Sequence, residues 1–136
     1  MRALSLAVLV LLCAACRQRP APREYKGRII TLTDSILTAG GTDTIRFGRL
    51  GSGEIASLGF RLSNTASRPV AVVTYARNCG CTTLEFDSEP IAPGQARQLT
   101  LLFDSRGQHG WQLKTVDLTL SGAPRPLRLF VEAEIE

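Results

Sequence analysis

Two thiols separated by a single glycine, Cys79-Gly80-Cys81, are the constellation in this sequence whose residue types and spacing invite chemistry. Three readings of the pair stand open. In a structural one, Gly80 gives the backbone freedom for a tight turn in which one or both cysteines are small, buried apolar groups. In a redox one, they close a disulfide across a very short loop, permitted outside the cytoplasm and readily reduced. In the third they are half of a soft site for Cu(I) or Zn, which needs further ligands because two cannot complete a tetrahedral zinc site. Catalysis by a thiolate wants a base nearby, and the sole histidine, His109, lies in a separate loop, Gly107-Gln108-His109-Gly110, expected to fall far from the turn.

A fourth kind of chemistry concerns Cys16. Arg2 is followed by an apolar run from Ala3 to Ala15 that is too brief to span a bilayer and stops at Cys16. Small residues, Ala14 and Ala15, immediately before a cysteine are the pattern of bacterial lipoprotein processing. Residues 1–15 are therefore expected to be a cleaved signal peptide, with lipid on the sulfur of Cys16. More than one acyl chain is required for a stable anchor, since one chain alone is marginal. Cys13 stands where such signals usually carry Leu. Arg17, Arg19, Arg23, Lys26 and Arg28 alternate with Pro20 and Pro22, so residues 16–28 are expected to form a flexible basic tether. No aspartate follows the cysteine, which points to an outer membrane and a periplasm-facing domain in a two-membrane host.

Other residues carry bland readings. Trp111 is expected to pack at a strand edge, and Glu85, Asp87 and Glu89 to alternate along an exposed connection. No buried or basic context separates the pKa values of those acids, so acid–base catalysis has no support. Phosphate loops, nucleophile elbows and His-Glu-x-x-His motifs are absent from the sequence, and no cofactor is expected. Nucleic acid is not an expected partner either. The basic residues are scattered, without the interleaved aromatics of a single-strand groove.

The elements that position the cysteine pair follow from hydrophobic alternation. Period two runs through Ala56, Leu58, Phe60 and Leu62, through Leu99, Leu101 and Phe103, and through Val116, Leu118 and Leu120. It returns in Leu127, Leu129, Val131, Ala133 and Ile135, while Val70, Val72 and Thr74 lead towards the cysteines. Earlier strands are expected over residues 29–33, 35–38 and 44–47, with Gly40-Gly41 turning the chain between the last two. Pro93-Gly94 suits the centre of a type II turn, since Pro presets φ and Gly supplies the positive φ that follows. About seven short strands without convincing helical periodicity predict an all-β, immunoglobulin-like antiparallel β-sandwich, a single domain over residues 29–136. The disulfide that joins the two sheets of antibody domains has no counterpart, because Cys79 and Cys81 are too close in sequence.

From Thr44 to Ile135 the chain resembles the bacterial family called domain of unknown function 1573. The resemblance rests on Phe47-Gly48-Arg49-Leu50, Gly53-Glu54, Phe60-Arg61-Leu62-Ser63-Asn64-Thr65, Pro69-Val70, Cys79-Gly80-Cys81-Thr82, Ile91-Ala92-Pro93-Gly94 and Phe103-Asp104-Ser105. It departs at Asn78, where the family often has Ser, and it does not cover residues before Thr44. The resemblance implies an immunoglobulin-like sandwich related to domains of abnormal spindle protein and hydin, common in secreted or lipidated proteins. It implies no activity.

These observations together predict a lipid-anchored envelope protein, not an enzyme, that recognises another envelope protein or polymer. The competing expectation is a thiol-redox or metal-handling lipoprotein acting through Cys79 and Cys81.

Overall fold

The computed structural model describes residues 27–136. Cys16, the signal peptide and all but the end of the basic tether lie outside the described residues. The chain runs β1 (Arg28–Leu32), α1 (Asp34–Ala39), β2 (Gly41–Leu50), β3 (Ile55–Asn64), β4 (Val72–Arg77), β5 (Thr82–Glu85), β6 (Ala96–Asp104), β7 (Gly110–Leu120) and β8 (Leu127–Ile135). Two four-stranded sheets result, ordered β1-β3-β6-β5 and β2-β8-β7-β4. They face one another as an immunoglobulin-like sandwich.

The alternating residues close the core as their spacing requires. Phe60, Leu62, Leu101, Phe103, Leu118 and Leu129 are fully buried, each removing enough apolar surface to favour folding by about 1.5–3 kcal/mol. Phe47 and Phe103 pack across the sheets with ring centroids 5.8 Å apart. At the β4/β5 side the gap between the sheets is sealed by Tyr75 against Phe86, edge to face at 6.0 Å.

Four features differ from the sequence reading. Residues 35–38 are helical instead of extended. Thr33 caps the helix, its hydroxyl accepting the Ile36 N–H at 3.3 Å, and Gly40 ends it at φ 78° with its N–H on the Ile36 carbonyl. Six residues are too few to display a helical period, and β-branched Ile36 and Thr38 resemble strand residues. Secondly, the edge pairs β1–β3 and β2–β8 are parallel, although every other pairing is antiparallel. Alternation specifies which face is buried and carries no information on a neighbour's direction. Thirdly, there are eight strands, because Thr82–Glu85 pairs with β6. Glu85 thus ends a strand, while Asp87 and Glu89 lie in the connection that follows, where both meet Arg97. The first strand begins at Arg28, which takes that residue out of the expected tether.

Candidate functional site

β4 is an edge of one sheet and β5 an edge of the other, so residues 78–81 carry the chain between sheets. Backbone geometry there is held by hydrogen bonds on every side. Asn78 N–H donates to the Thr115 carbonyl at 3.2 Å, and Thr115 N–H returns to Asn78 Oδ1 at 2.9 Å. The Cys79 carbonyl accepts from both the N–H and the hydroxyl of Thr82, at 3.3 and 3.1 Å. Thr82 is itself fully buried. The Asp104 N–H donates to the Cys81 carbonyl at 2.8 Å, and the Arg77 guanidinium donates to the Thr82 carbonyl and, at 3.1 Å, to Thr83 Oγ1.

Within this frame Cys79 and Cys81 are joined by a disulfide, their Cα atoms 5.1 Å apart. Both residues are half-buried, Cys81 packing against the core, and their sulfurs are bonded to one another instead of being free thiols. The Cys81 N–H donates to Cys79 Sγ at 3.1 Å. Gly80 is exposed, has no positive φ, and a Cβ built on it would meet nothing within 4 Å. Its side-chain site is open space. No group of three or more metal-ligating side chains occurs among the described residues, and a disulfide offers no thiolate to a metal.

His109 sits in the β6–β7 loop, which starts beside the turn at Asp104. From there β7 extends well past β4, and His109 stands roughly 20 Å of strand from Thr115, the residue that holds Asn78. Its carbonyl accepts from Gln112 Nε2 at 2.6 Å. Pro93-Gly94 forms the expected turn at the far end of β6, with Gly94 at φ 82° and the Gln95 N–H on the Ala92 carbonyl at 3.0 Å.

A second surface was misjudged from sequence. Trp111 is 62% exposed on the outer face of β7 and does not pack at a strand edge, and Leu113 two residues on is 41% exposed. Cross-strand from them are Glu134 and Glu132 of β8, and beyond those lie Arg49 and Arg46 of β2. Arg46 pairs with Glu132 at 3.0 Å, and Arg49 reaches Glu136 at 3.4 Å. A shallow cleft of about 190 Å³ lies over this part of the face, floored at Gly48. Outward alternation of Trp111 and Leu113 in β7 was the signal, but which face was covered could not be read locally.

The sequence profile of a family described as protein of unknown function (DUF1573) matches residues 39–135. The chain belongs to this family. No curated protein matches the sequence. A crystal structure of a protein of unknown function from Porphyromonas gingivalis W83 is similar at 18% identity and TM-score 0.59, over 67% of this chain and 43% of that one. The VesB protease of Vibrio cholerae is similar at 13% identity and TM-score 0.52, over 68% of this chain and 30% of that one. The chain thus spans less than half the length of either, and these likenesses concern the fold. A PapD-like domain of human CEP192 aligns at 14% identity and TM-score 0.49, over 68% of this chain and 80% of that domain.

The family's motifs can be assigned to physical tasks. In Phe47-Gly48-Arg49-Leu50 the glycine, at φ 74°, is the extra residue of a β-bulge, which turns both Phe47 and Leu50 inward. Glu54 closes the β2–β3 turn by accepting the Gly51 N–H at 2.8 Å. Asn64, fully buried, donates to the carbonyls of Arg68 and Ile91 at 2.9 and 2.8 Å and accepts the Ala66 N–H at 2.9 Å. Ser105, also buried, donates to the Gly51 carbonyl at 3.0 Å. Each of these residues is consumed by the fold.

Proposed function

We propose that this chain is a non-catalytic binding module of the cell envelope, tethered by lipid on Cys16, whose outer β2-β8-β7 face docks a protein partner. The observation that carries this reading is the exposure of Trp111 and Leu113 beside the Arg46–Glu132 ion pair. Trp and Arg are the residues most enriched where binding energy concentrates, and a large indole left in water on a rigid strand costs little entropy to dock. The sandwich fold supports this reading because it leaves a sheet face and edges free for contact. In this reading the lipid on Cys16 holds the domain to the bilayer; among the described residues no helix is long and apolar enough to cross a membrane.

A photo-crosslinking residue placed at position 111 of the full chain in its own cells tests the proposal. A discrete protein adduct is expected from position 111 and not from Ser57, exposed on the other sheet. Equal adducts from both positions would overturn the docking face. A Cys16→Ser form should leave the membrane fraction and lose the adduct.

A further inference from the structure

The structure assigns the Cys79–Cys81 disulfide a role as an exchange site for a protein dithiol, one that opens while the domain stays folded. Four observations lead there. The crossover is already fixed by hydrogen bonds from Asn78, Thr82, Asp104 and Arg77, none of which uses a sulfur atom. The loop closed by the bridge contains one residue, so it removes little entropy from the unfolded chain, since that benefit grows with loop length. The bridge therefore contributes little to the fold, unlike Glu54, Asn64 and Ser105. Both cysteines are half-buried and Gly80 between them is exposed with open space beyond its Cα, which leaves a path for an incoming thiolate.

The fourth observation orders the two sulfurs. The Cys81 N–H directed at Cys79 Sγ, 3.1 Å away, stabilises negative charge on that sulfur. Cys79 is then the better leaving group, and Cys81 the sulfur attacked. A thiolate of the partner dithiol attacks Cys81 Sγ, the Cys79–Cys81 bond breaks, and its electron pair departs with Cys79 as thiolate. The partner's second thiol, deprotonated, attacks its own sulfur in the mixed disulfide and expels Cys81 as thiolate. Two electrons have moved: the partner is oxidised to a disulfide, Cys79 and Cys81 are reduced, and the partner's two protons end on these thiolates or in solvent. Arg77, bonded to the carbonyl just past Cys81, places a positive charge on the turn that favours the anionic species.

The test uses the full chain purified from membranes and dithiothreitol as the dithiol. Alkylated cysteines are located by peptide mass spectrometry, so that labelling is read at Cys79 and Cys81 themselves. Cys79 and Cys81 should be protected before reduction. They should then become labelled together at dithiothreitol concentrations that leave the far-ultraviolet β signal and the melting temperature unmoved. Labelling that appears only in step with unfolding, or full labelling without reductant, would overturn the proposal. Single variants test the order of the sulfurs. Cys79 in Cys81→Ser should alkylate several-fold faster near pH 6 than Cys81 in Cys79→Ser, because the N–H of residue 81 favours the thiolate at position 79. Equal or reversed rates would overturn the assignment of Cys79 as the leaving sulfur.

Discussion

Asn64 and Gly80 are both family-motif residues, yet they stand at opposite ends of structural importance. Asn64 bonds one buried carbonyl, one partly buried carbonyl and one buried N–H in the corner that joins β3, the Pro93-Gly94 turn and the segment after β3. Asn64→Ala should cost about 1–3 kcal/mol, chiefly from the buried Ala66 N–H left without its acceptor, because the Ile91 carbonyl keeps the Val70 N–H and the Arg68 carbonyl is only partly buried. Gly80→Ala, entering open space at an ordinary φ, should remain within about 0.5 kcal/mol. Urea midpoints of the two variants check the contrast. A glycine between two cysteines suggests a conformational need when read in sequence, whereas the structure gives it an unobstructed surface.

At the level of elements, the bulge in β2 couples core and surface. One extra residue between Arg46 and Arg49 sets Phe47 and Leu50 inward while both arginines reach the outer face beside Trp111. Gly48→Val forces a β-branched residue into φ 74° and should cost about 1–3 kcal/mol in denaturant melts. Gly48→Asn should cost less, since Asn tolerates the left-handed region. The glycine was legible as part of a motif, but a bulge is a relation between two strands. The same limit hid α1, whose six residues are shorter than the pattern that would declare them. It also hid the parallel edges, since residues on one strand do not encode the direction of the next.

Across the whole molecule, charge is arranged as exposed pairs that make folding pH-dependent in the acid range. Asp104 is held down to about 2 from 3.8, chiefly by the Arg106 side chain donating to it and then by the Arg106 N–H. The Arg128 guanidinium lowers Asp117, and the Ser67 N–H and hydroxyl lower Asp34. A carboxylate whose pKa falls on folding contributes stability that is complete above its unfolded pKa and is lost as pH falls through the folded one. The melting temperature should therefore decline below about pH 4 and continue to fall towards about pH 2. High salt should flatten the decline, as exposed pairs are screened. A melt unchanged between neutral and acid pH would contradict these pairings.

The sequence by itself determined the two-sheet sandwich, its inward residues and the Pro93-Gly94 turn, because alternation and turn chemistry are written over a few neighbouring positions. It also singled out Cys79 and Cys81, since their spacing is local. Whether those sulfurs lay in the core or at the surface depended on where the chain crosses between sheets, and on Asp104, Thr115 and Thr82 gripping the crossover from strands remote in sequence. Trp111 shows the same dependence. Its place on β7 follows from local pattern, but its exposure was decided by the absence of any layer over the outer sheet face among the described residues, a property of the assembled strands and of no single one.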